Sequence, residues 1–171
     1  MGSTLRFFAF GLAVAASVSA PTRAQEPARP KPTSITGDTS HSPPGCSAAV
    51  AFAALQRWFY AISTGDVDAV PRAIAPTVHL VDIDRDRWWP DPHLHTAAIA
   101  DLTAYVRRRS MQHEHIVWRS VRFDGWHGRD LWFSQLEYTR RADDWHGERT
   151  WRARGTYACR EGITEFISRK V

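Results

Sequence analysis

The second half of the chain, from His113 onward, is a succession of strand-like runs, and it constrains the fold more than any other feature. Each run is rich in β-branched and aromatic residues and is bounded by turn residues. The runs lie near 114–123, 131–141, 150–160 and 163–168. Because only a few residues join each run to the next, neighbouring strands turn back on one another, and the pattern predicts an antiparallel meander.

The run 150–160 predicts a strand with one buried face and one face in water. Small or apolar residues alternate here with threonines and arginines. The residues expected on the core face are Trp151, Ala153, Gly155, Tyr157 and Cys159. Arginines of this run and of the preceding one predict a basic stripe on the wet side, formed by Arg140, Arg141, Arg152, Arg154 and Arg160.

The run 131–141 is apolar on both faces if it alternates without interruption. The two apolar sets are Leu131 with Phe133, and Trp132 with Leu136 and Tyr138. We therefore expect both faces to be covered, one by helices and the other by a partner subunit.

Apolar residues at steps of three and four predict a first helix over 47–63. They are Ala48, Phe52, Leu55, Phe59 and Ile62. The β-branched and aliphatic run 78–83 predicts a strand. The next segment, 84–95, contains two prolines and shows neither period, so it predicts a loop that carries Trp88 and Trp89.

Two further helices are predicted ahead of the meander. Asp66 or Asp68 is expected to cap a short second helix over 67–75. Thr96 is expected to cap a third helix that runs to about Arg109, where basic residues suit the negative end of a helix.

Two segments of the meander resemble each other. Residues 124–128 read DGWHG, and residues 143–147 read DDWHG. We interpret them as one hairpin turn used twice, at opposite ends of the sheet. The similarity is too short to predict a structural repeat.

The amino terminus predicts export. Residues 1–24 combine a short start containing Arg6, an apolar run from Phe7 to Ala20 and small residues before Gln25, which is typical of a secretory signal peptide. The alternative is an uncleaved N-terminal anchor. The apolar run is shorter than the roughly 18 to 20 residues that span a bilayer, so we expect a periplasmic or secreted protein without a stable membrane span after cleavage.

Residues 25–45 contain five prolines and no aromatic residue, and they predict a disordered or extended linker ahead of a folded domain over 46–171. Cys46 and Cys159 both belong to the mature chain. Export favours a disulfide between them, and the core-face position of Cys159 places it where a packed first helix brings Cys46 near. The alternative is two buried free thiols.

The charge of the chain argues against a nucleic-acid partner. The formal net charge is +4, and removal of Arg6 and Arg23 with the signal peptide leaves about +2. Nucleic-acid binding proteins usually carry a stronger basic excess than this.

Two pairs of closely spaced histidines resemble part of a metal site. His93 and His95 lie close together in the loop, and His113 and His115 share a predicted strand face. No carboxylate or cysteine shows ligand spacing beside them, so we expect neither a metal nor another cofactor.

The order of the predicted elements, together with three local segments, resembles a known family. The segments are QRW at 56–58, AISTGDVD at 61–68 and REGI at 160–163. They are similar to the nuclear transport factor 2-like superfamily, which includes SnoaL-like cyclases and ketosteroid isomerases. The resemblance covers 46–171 and implies a cone-shaped α+β fold, with three N-terminal helices packed on a curved antiparallel sheet, and a homodimer.

The resemblance also implies a site. Asp82 stands where the ketosteroid isomerase branch has its general base, and it is the predicted catalytic residue. The alternative is a strand-end aspartate exposed to water. Trp58 stands where that branch has a tyrosine donor, and Gly155 where it has a protonated aspartic acid. Glycine has no side-chain donor, so steroid isomerisation is not carried over to this chain.

Aromatic residues supply the predicted ligand-binding positions. The resemblance places the loop of Trp88 and Trp89 near the pocket mouth, although the two indoles can equally close the bottom of the core. The full set is Trp58, Tyr60, Trp88, Trp89, Trp118 and Tyr157.

Two functions follow from these residues. The first is an exported binding module that takes a small apolar ligand or a partner from the cell envelope. The second is a cofactor-free acid/base enzyme of the isomerase, cyclase, dehydratase or hydrolase type, with Asp82 as its base. The binding module is favoured because the sequence shows no second convincing catalytic group.

Overall fold

The computed structural model describes residues 34–37, 40–83 and 95–171. The predicted signal peptide, much of the linker and the loop with Trp88 and Trp89 lie outside these residues. In chain order the elements are β1 (Ser34–Gly37), α1 (Ala48–Thr64), a 3₁₀ helix (Val67–Arg72), β2 (Ile74–Ile83), β3 (His95–Ala98), α2 (Ile99–Met111), β4 (His115–His127), β5 (Asp130–Arg141), β6 (Arg149–Ala158) and β7 (Gly162–Lys170). None of the helices in the described ranges is long and apolar enough to cross a membrane.

Helix α1 forms where the apolar spacing predicts it. The Ser47 side chain accepts a hydrogen bond from the Val50 N–H at 3.4 Å, and Gly65 ends the helix in the left-handed conformation, with φ 77°. The predicted second helix is a short 3₁₀ helix. It begins after Asp66, whose carboxylate accepts from the Ala69 N–H at 3.2 Å.

Helix α2 begins later than predicted. The expectation that Thr96 caps it is wrong, because Thr96 lies in β3 and pairs with β2. The cap is Ala98, and its N–H donates to the Asp101 carboxylate at 3.0 Å. The backbone groups of β3 bond to the sheet, so the helix starts only after that strand ends.

The seven described strands form one curved, open sheet in the order β1-β4-β5-β6-β7-β2-β3. The predicted meander is confirmed, since β4 to β7 pair antiparallel in sequence order. Two further pairings are parallel: β2 lies beside β7, and β1 lies beside β4. The sheet is therefore mixed, because β2 and the meander are separated in the chain by α2 and meet only at β7.

A β-bulge in β5 changes which face its residues occupy. Gln135 has a φ of 50°, and the pairing with β6 shifts between Phe133 and Leu136. Phe133 and Leu136 are both buried as a result, whereas Trp132 is 52% exposed. The interpretation of β5 as apolar on both faces is wrong, because the bulge brings Leu136 and Tyr138 to the same buried face as Phe133. Cover of the outer face by a partner subunit stays a prediction.

The two similar segments form different turns. In the first, at 124–128, strand pairing continues until His127 lies opposite Asp130, which leaves a turn of two residues. The second, at 143–147, stays outside the sheet, because its side chains bind arginines of neighbouring elements. The interpretation as one turn used twice is therefore wrong.

Cys46 and Cys159 form a disulfide, as predicted, with their α-carbons 5.9 Å apart. Both residues are buried. The bond attaches the start of α1 to the turn between β6 and β7. A disulfide of this kind is typical of proteins that fold in an oxidising compartment.

Candidate functional site

A cavity lies between α1, α2 and the inner face of the sheet. The volume open to the centre of a water molecule is about 20 Å³, which holds one small group. Its walls are mostly apolar, and four lining residues carry polar atoms. The apolar residues are Trp58, Phe59, Ile62, Ile116 and Phe166, and the polar ones are Tyr105, Tyr138, Arg140 and Ser168.

Helix α1 supplies one wall, because Trp58, Phe59 and Ile62 lie on one helical face. Trp58 stacks on Tyr105 of α2, with ring centroids 6.2 Å apart and 22° between the planes. Phe59 contacts the ring of Tyr138 across the cavity, at 4.8 Å between centroids. These aromatic contacts hold the wall in place before any ligand binds.

The side chain of Arg140 brings a positive charge to the cavity. Its Nε donates to Glu114 Oε1 at 2.6 Å, and its Nη2 donates to the Tyr105 hydroxyl at 2.8 Å. The guanidinium lies over the ring of Trp151, 4.7 Å from the centroid. Arg140 is 4% exposed, so its predicted place in the basic stripe is wrong. The bulge at Gln135 is the reason, since it moves the later residues of β5 to the opposite face.

Arg140 belongs to a set of five charged residues, here called the arginine cluster, with Arg109, Arg149, Glu114 and Asp144. The fully buried Glu114 carboxylate also accepts a hydrogen bond from Arg109. Arg109 donates to both oxygens of Asp144, at 2.9 Å and 3.1 Å. Burial lowers the pKa of Arg109, but its hydrogen bonds to Asp144 and Glu114 outweigh that effect and raise the pKa above its ordinary value.

The ring of Trp145 lies among the guanidinium groups of the arginine cluster. The Cζ atoms of Arg109, Arg140 and Arg149 are 4.7, 4.9 and 5.0 Å from its centroid. Trp145 also stacks on Trp151, with centroids 6.2 Å apart. The segment between β5 and β6 is thereby held against Arg140.

Sequence reasoning missed the arginine cluster, although one signal was available. Leu136, Tyr138 and Arg140 continue a face of period two, so an arginine follows two core residues. Glu114 and Asp144 carry no comparable signal, because both lie in connections and meet the arginines only in the folded chain.

Among the predicted ligand-binding residues that the structure describes, Trp58 lines the cavity. Tyr60, Trp118 and Tyr157 lie outside the lining. Trp118 is buried on β4 and forms an edge contact with Phe52, at 5.5 Å between centroids. The structure therefore brings one of the four described candidates to the cavity and places the other three elsewhere in the domain.

We predict that the free energy of unfolding falls at alkaline pH because of Tyr157. Burial raises the pKa of its hydroxyl above the ordinary value of 10.0, although a backbone hydrogen bond with Arg160 and the charge of Arg57 act in the opposite direction. The unfolded chain therefore ionises Tyr157 at a lower pH than the folded chain does. Its contribution to stability is present below about pH 10 and is lost as the pH rises through the folded pKa.

We expect the free energy of unfolding to fall more steeply above about pH 10 in the wild type than in Tyr157→Phe. Guanidinium unfolding at a series of pH values measures both slopes. Equal slopes for the wild type and Tyr157→Phe would contradict the prediction.

The histidines do not share a strand face as predicted. His113 lies in the turn before β4, with φ 48°, and its Nδ1 is 2.6 Å from an Asp143 carboxylate oxygen. His115 begins β4 and is exposed. Within the described ranges, no group of three histidine, cysteine, aspartate or glutamate residues is arranged to hold a metal.

Comparisons with known proteins identify the architecture through solved structures. No family model and no curated protein matches the sequence. A putative calcium/calmodulin-dependent protein kinase II association domain from Xanthomonas campestris is 18% identical, with a TM-score of 0.54 over 78% of this chain and 94% of that one. The Anabaena (Nostoc) orange carotenoid protein binding canthaxanthin is 6% identical, with a TM-score of 0.53 over 78% of this chain and 38% of that one. An NTF-2 like protein of unknown function from Silicibacter pomeroyi is 17% identical, with a TM-score of 0.47 over 72% of this chain and 94% of that one.

The Xanthomonas and Anabaena structures share the fold of this chain, in which helices pack against a curved, open sheet. The chain has the nuclear transport factor 2-like fold. The prediction of a cone-shaped α+β domain is confirmed. Identities of 18% and below establish the fold and leave the function to be argued from the site.

Asp82, the predicted general base, lies on β2 of this domain. Its backbone, on β2, pairs with Ser168 of β7. Ser168 is buried and lines the cavity. The strand register therefore places Asp82 directly opposite Ser168, a residue that lines the cavity.

Gly155 has no room for the acid that the resemblance places there. In β6 it lies between Phe133 of β5 and Phe166 of β7. An added Cβ would overlap the backbone carbonyl of Glu165 and lie 2.7 Å from the Phe133 ring. This nuclear transport factor 2-like domain therefore uses the position for close packing between strands.

We expect Gly155→Ala to lower the free energy of unfolding by about 1 to 3 kcal/mol, because the methyl group forces the strands apart. Urea unfolding measures the change. Thr156→Ala, at the next position of β6, leaves the backbone spacing unaltered and serves as the matched control. If Gly155→Ala is as stable as the wild type, the two strands can move apart without loss of stability, and the prediction is wrong.

Proposed function

We propose that this protein binds a small, largely apolar molecule in the cavity between its helices and its sheet. The observation that carries the proposal is the wall itself, where five apolar side chains line one cavity. Pockets with apolar walls and a few polar groups are the usual sites for small ligands. The volume of about 20 Å³ holds about one water-sized group, so a ring binds there only when the walls move apart.

The fold and the disulfide support this proposal. The Anabaena orange carotenoid protein has a similar fold and binds canthaxanthin, so an apolar ligand is compatible with the architecture. The disulfide, together with the predicted signal peptide, supports export to the periplasm or the exterior. We therefore place the binding function outside the cytoplasm, where the ligand comes from the surroundings or from a partner in the cell envelope.

Fluorobenzene tests the proposal, because one apolar ring is detected directly by ¹⁹F NMR. With the chain that begins at Gln25, we expect the fluorobenzene line to broaden as protein is added. Ile62→Phe fills the cavity and should abolish the broadening. Val50→Phe adds the same ring on the exposed side of α1 and should preserve it. A line that the wild type leaves unchanged would overturn the proposal, and urea unfolding of Ile62→Phe checks that this variant is folded.

A second candidate is a cofactor-free acid/base enzyme in which Asp82 is the general base. The observation in its favour is the pairing of Asp82 with the cavity residue Ser168. Carbon-detected NMR titration, with Asp82→Asn to assign the signal, tests it. A carboxyl that titrates above the ordinary aspartate range supports a desolvated base, and screening of carbonyl substrates follows. An ordinary or lowered value would remove this candidate.

We also propose that the protein is a homodimer, as the family resemblance implies. The outer face of the sheet exposes Trp132, at 52%, and Val117, at 41%. Size-exclusion chromatography with light scattering is expected to give twice the chain mass. A monomer at the highest concentration reached would contradict the proposal, and Trp132→Ser tests whether this face forms the contact.

A further inference from the structure

We propose that the edge of β4 is a strand-addition site and that β1 of a second copy of this chain occupies it. Within one chain the site is already filled, because residues 34–37 pair parallel with residues 120–123 of β4. Two copies that exchange β1 keep the same backbone bonds, now formed between chains. The inference goes beyond the ligand cavity, and it rests on the proposed homodimer only in requiring that two copies meet.

The β4 edge is the side of β4 that faces away from β5. In the described ranges β1 is the only strand on this side, and its four residues lie along a strand of thirteen. The edge of a strand presents its N–H and C=O groups in a row, and such a row pairs with an extended segment of another chain. The β4 edge therefore has the geometry that strand addition needs.

The tether between β1 and the domain is long enough for exchange. Residues 38–45 separate β1 from Cys46, where the disulfide attaches the chain to the turn after β6. These eight residues span at most about 29 Å when fully extended, which is several times the distance between neighbouring strands. The tether can therefore lead β1 to the edge of its own β4 or to that of a neighbouring copy.

Backbone bonds, rather than buried side chains, hold the described half of β1. Thr36 and Gly37 are both exposed. The pairing is parallel, and parallel pairs are slightly less stable per residue than antiparallel pairs. β1 can therefore leave the edge while the core of the domain stays intact.

Gly37 shows that β1 is fitted to this edge. Its φ is 119°, a value that residues with a side chain rarely adopt. An added Cβ would overlap the backbone carbonyl of Phe123, which lies opposite Gly37 in the pair. The close approach of the two backbones selects a segment with glycine at this position. The chain supplies that glycine itself, which favours a second copy over an unrelated extended segment.

Reciprocal exchange closes a dimer. Each copy gives its β1 to the other and receives one in return, so both edges are filled and no third copy can add. This contact lies at the sheet edge, and it differs from the outer-face contact around Trp132 of β5.

A mixture of two single cysteine variants tests the exchange, because a link between different chains forms only when β1 of one copy reaches the other. Ser34 lies opposite Ser120 in the register of the pair. One chain beginning at Gln25 carries Ser34→Cys, and a ¹⁵N-labelled chain carries Ser120→Cys. The two are incubated together at high concentration and oxidised mildly. We expect a covalent heterodimer whose peptide map shows a link between positions 34 and 120 and an intact Cys46–Cys159 bond.

Two matched substitutions in the Ser34→Cys chain test the fit of β1. Gly37→Val adds the Cβ that overlaps Phe123, so it should lower the heterodimer yield at least about tenfold. Thr36→Val replaces one exposed β-branched side chain by another and should keep the yield within about twofold. Urea unfolding checks that both variants keep a folded domain.

The outcomes separate this inference from the proposed homodimer. If Ser34→Cys/Ser120→Cys links only within one chain and the mixture gives no heterodimer, β1 stays with its own domain and the inference is overturned. A link that persists in Gly37→Val, or one that forms in neither experiment, overturns it as well. If light scattering gives a dimer without the link between chains, the homodimer stands and its contact lies elsewhere. A monomer that gives no heterodimer contradicts both.

Discussion

Replacing Cys46 and Cys159 together by alanine is expected to lower the free energy of unfolding by about 5 kcal/mol, from the loop-entropy model. The disulfide joins residues 113 positions apart and so restricts most of the unfolded domain. It also attaches the start of α1 to the turn between β6 and β7, so both ends of the domain depend on it. Domains of ordinary stability unfold at a cost of about 5 to 15 kcal/mol, so this loss is between a third and the whole of the total.

Urea unfolding of the oxidised protein, the reduced protein and the double variant measures this effect. The reduced wild type and Cys46→Ala/Cys159→Ala are expected to unfold at similar, lower urea concentrations. Mass spectrometry after alkylation provides the control, because two thiols should be blocked only when the unfolded protein is first reduced. If both cysteines are labelled without reductant, the bond does not form in the protein.

Glu114→Gln is expected to lower the free energy of unfolding by about 3 to 5 kcal/mol, because it leaves two buried arginines without their shared carboxylate. The Glu114 side chain is 0% exposed and binds both Arg109 and Arg140. Glutamine has nearly the same shape, so the loss reports the charge and its hydrogen bonds rather than packing. Urea unfolding at neutral pH measures it.

Glu137→Gln is the matched control for this prediction. Glu137 also lies near two arginines, Arg119 and Arg152, at 3.8 Å and 3.3 Å, but these pairs are exposed to solvent. Exposed pairs contribute roughly 0 to 1 kcal/mol, so the control should be close to the wild type. Equal effects of Glu114→Gln and Glu137→Gln would show that the arginine cluster is not needed for stability.

Much of the fold was predictable because its signals are local. The apolar steps of α1 and the period-two runs of the meander express backbone geometry that repeats within a few residues. Helix α2 shows the limit of local rules. Thr96 is a good capping residue, yet the pairing of β3 with β2 takes its backbone into the sheet.

The candidate site was less predictable, and β5 shows why. An uninterrupted strand would send Arg140 to water, whereas the bulge at Gln135 turns it toward the cavity. Gln135 is not a glycine, so its positive φ leaves no mark in the sequence. The prediction of two apolar faces and the place of Arg140 in the basic stripe both depended on the phase of this strand, and both changed with it.

The sequence by itself determined the disulfide partners, helix α1 and the antiparallel meander, because each depends on residue type and local pattern. The export signal stays a prediction. The tertiary structure decided which side chains surround the cavity and that Arg140, Glu114 and Asp144 meet. Arg109 and Asp144 are 35 positions apart, and Arg140 and Glu114 are 26 apart. Contacts over such separations depend on strand register and packing, and one additional residue in a strand is enough to reverse them.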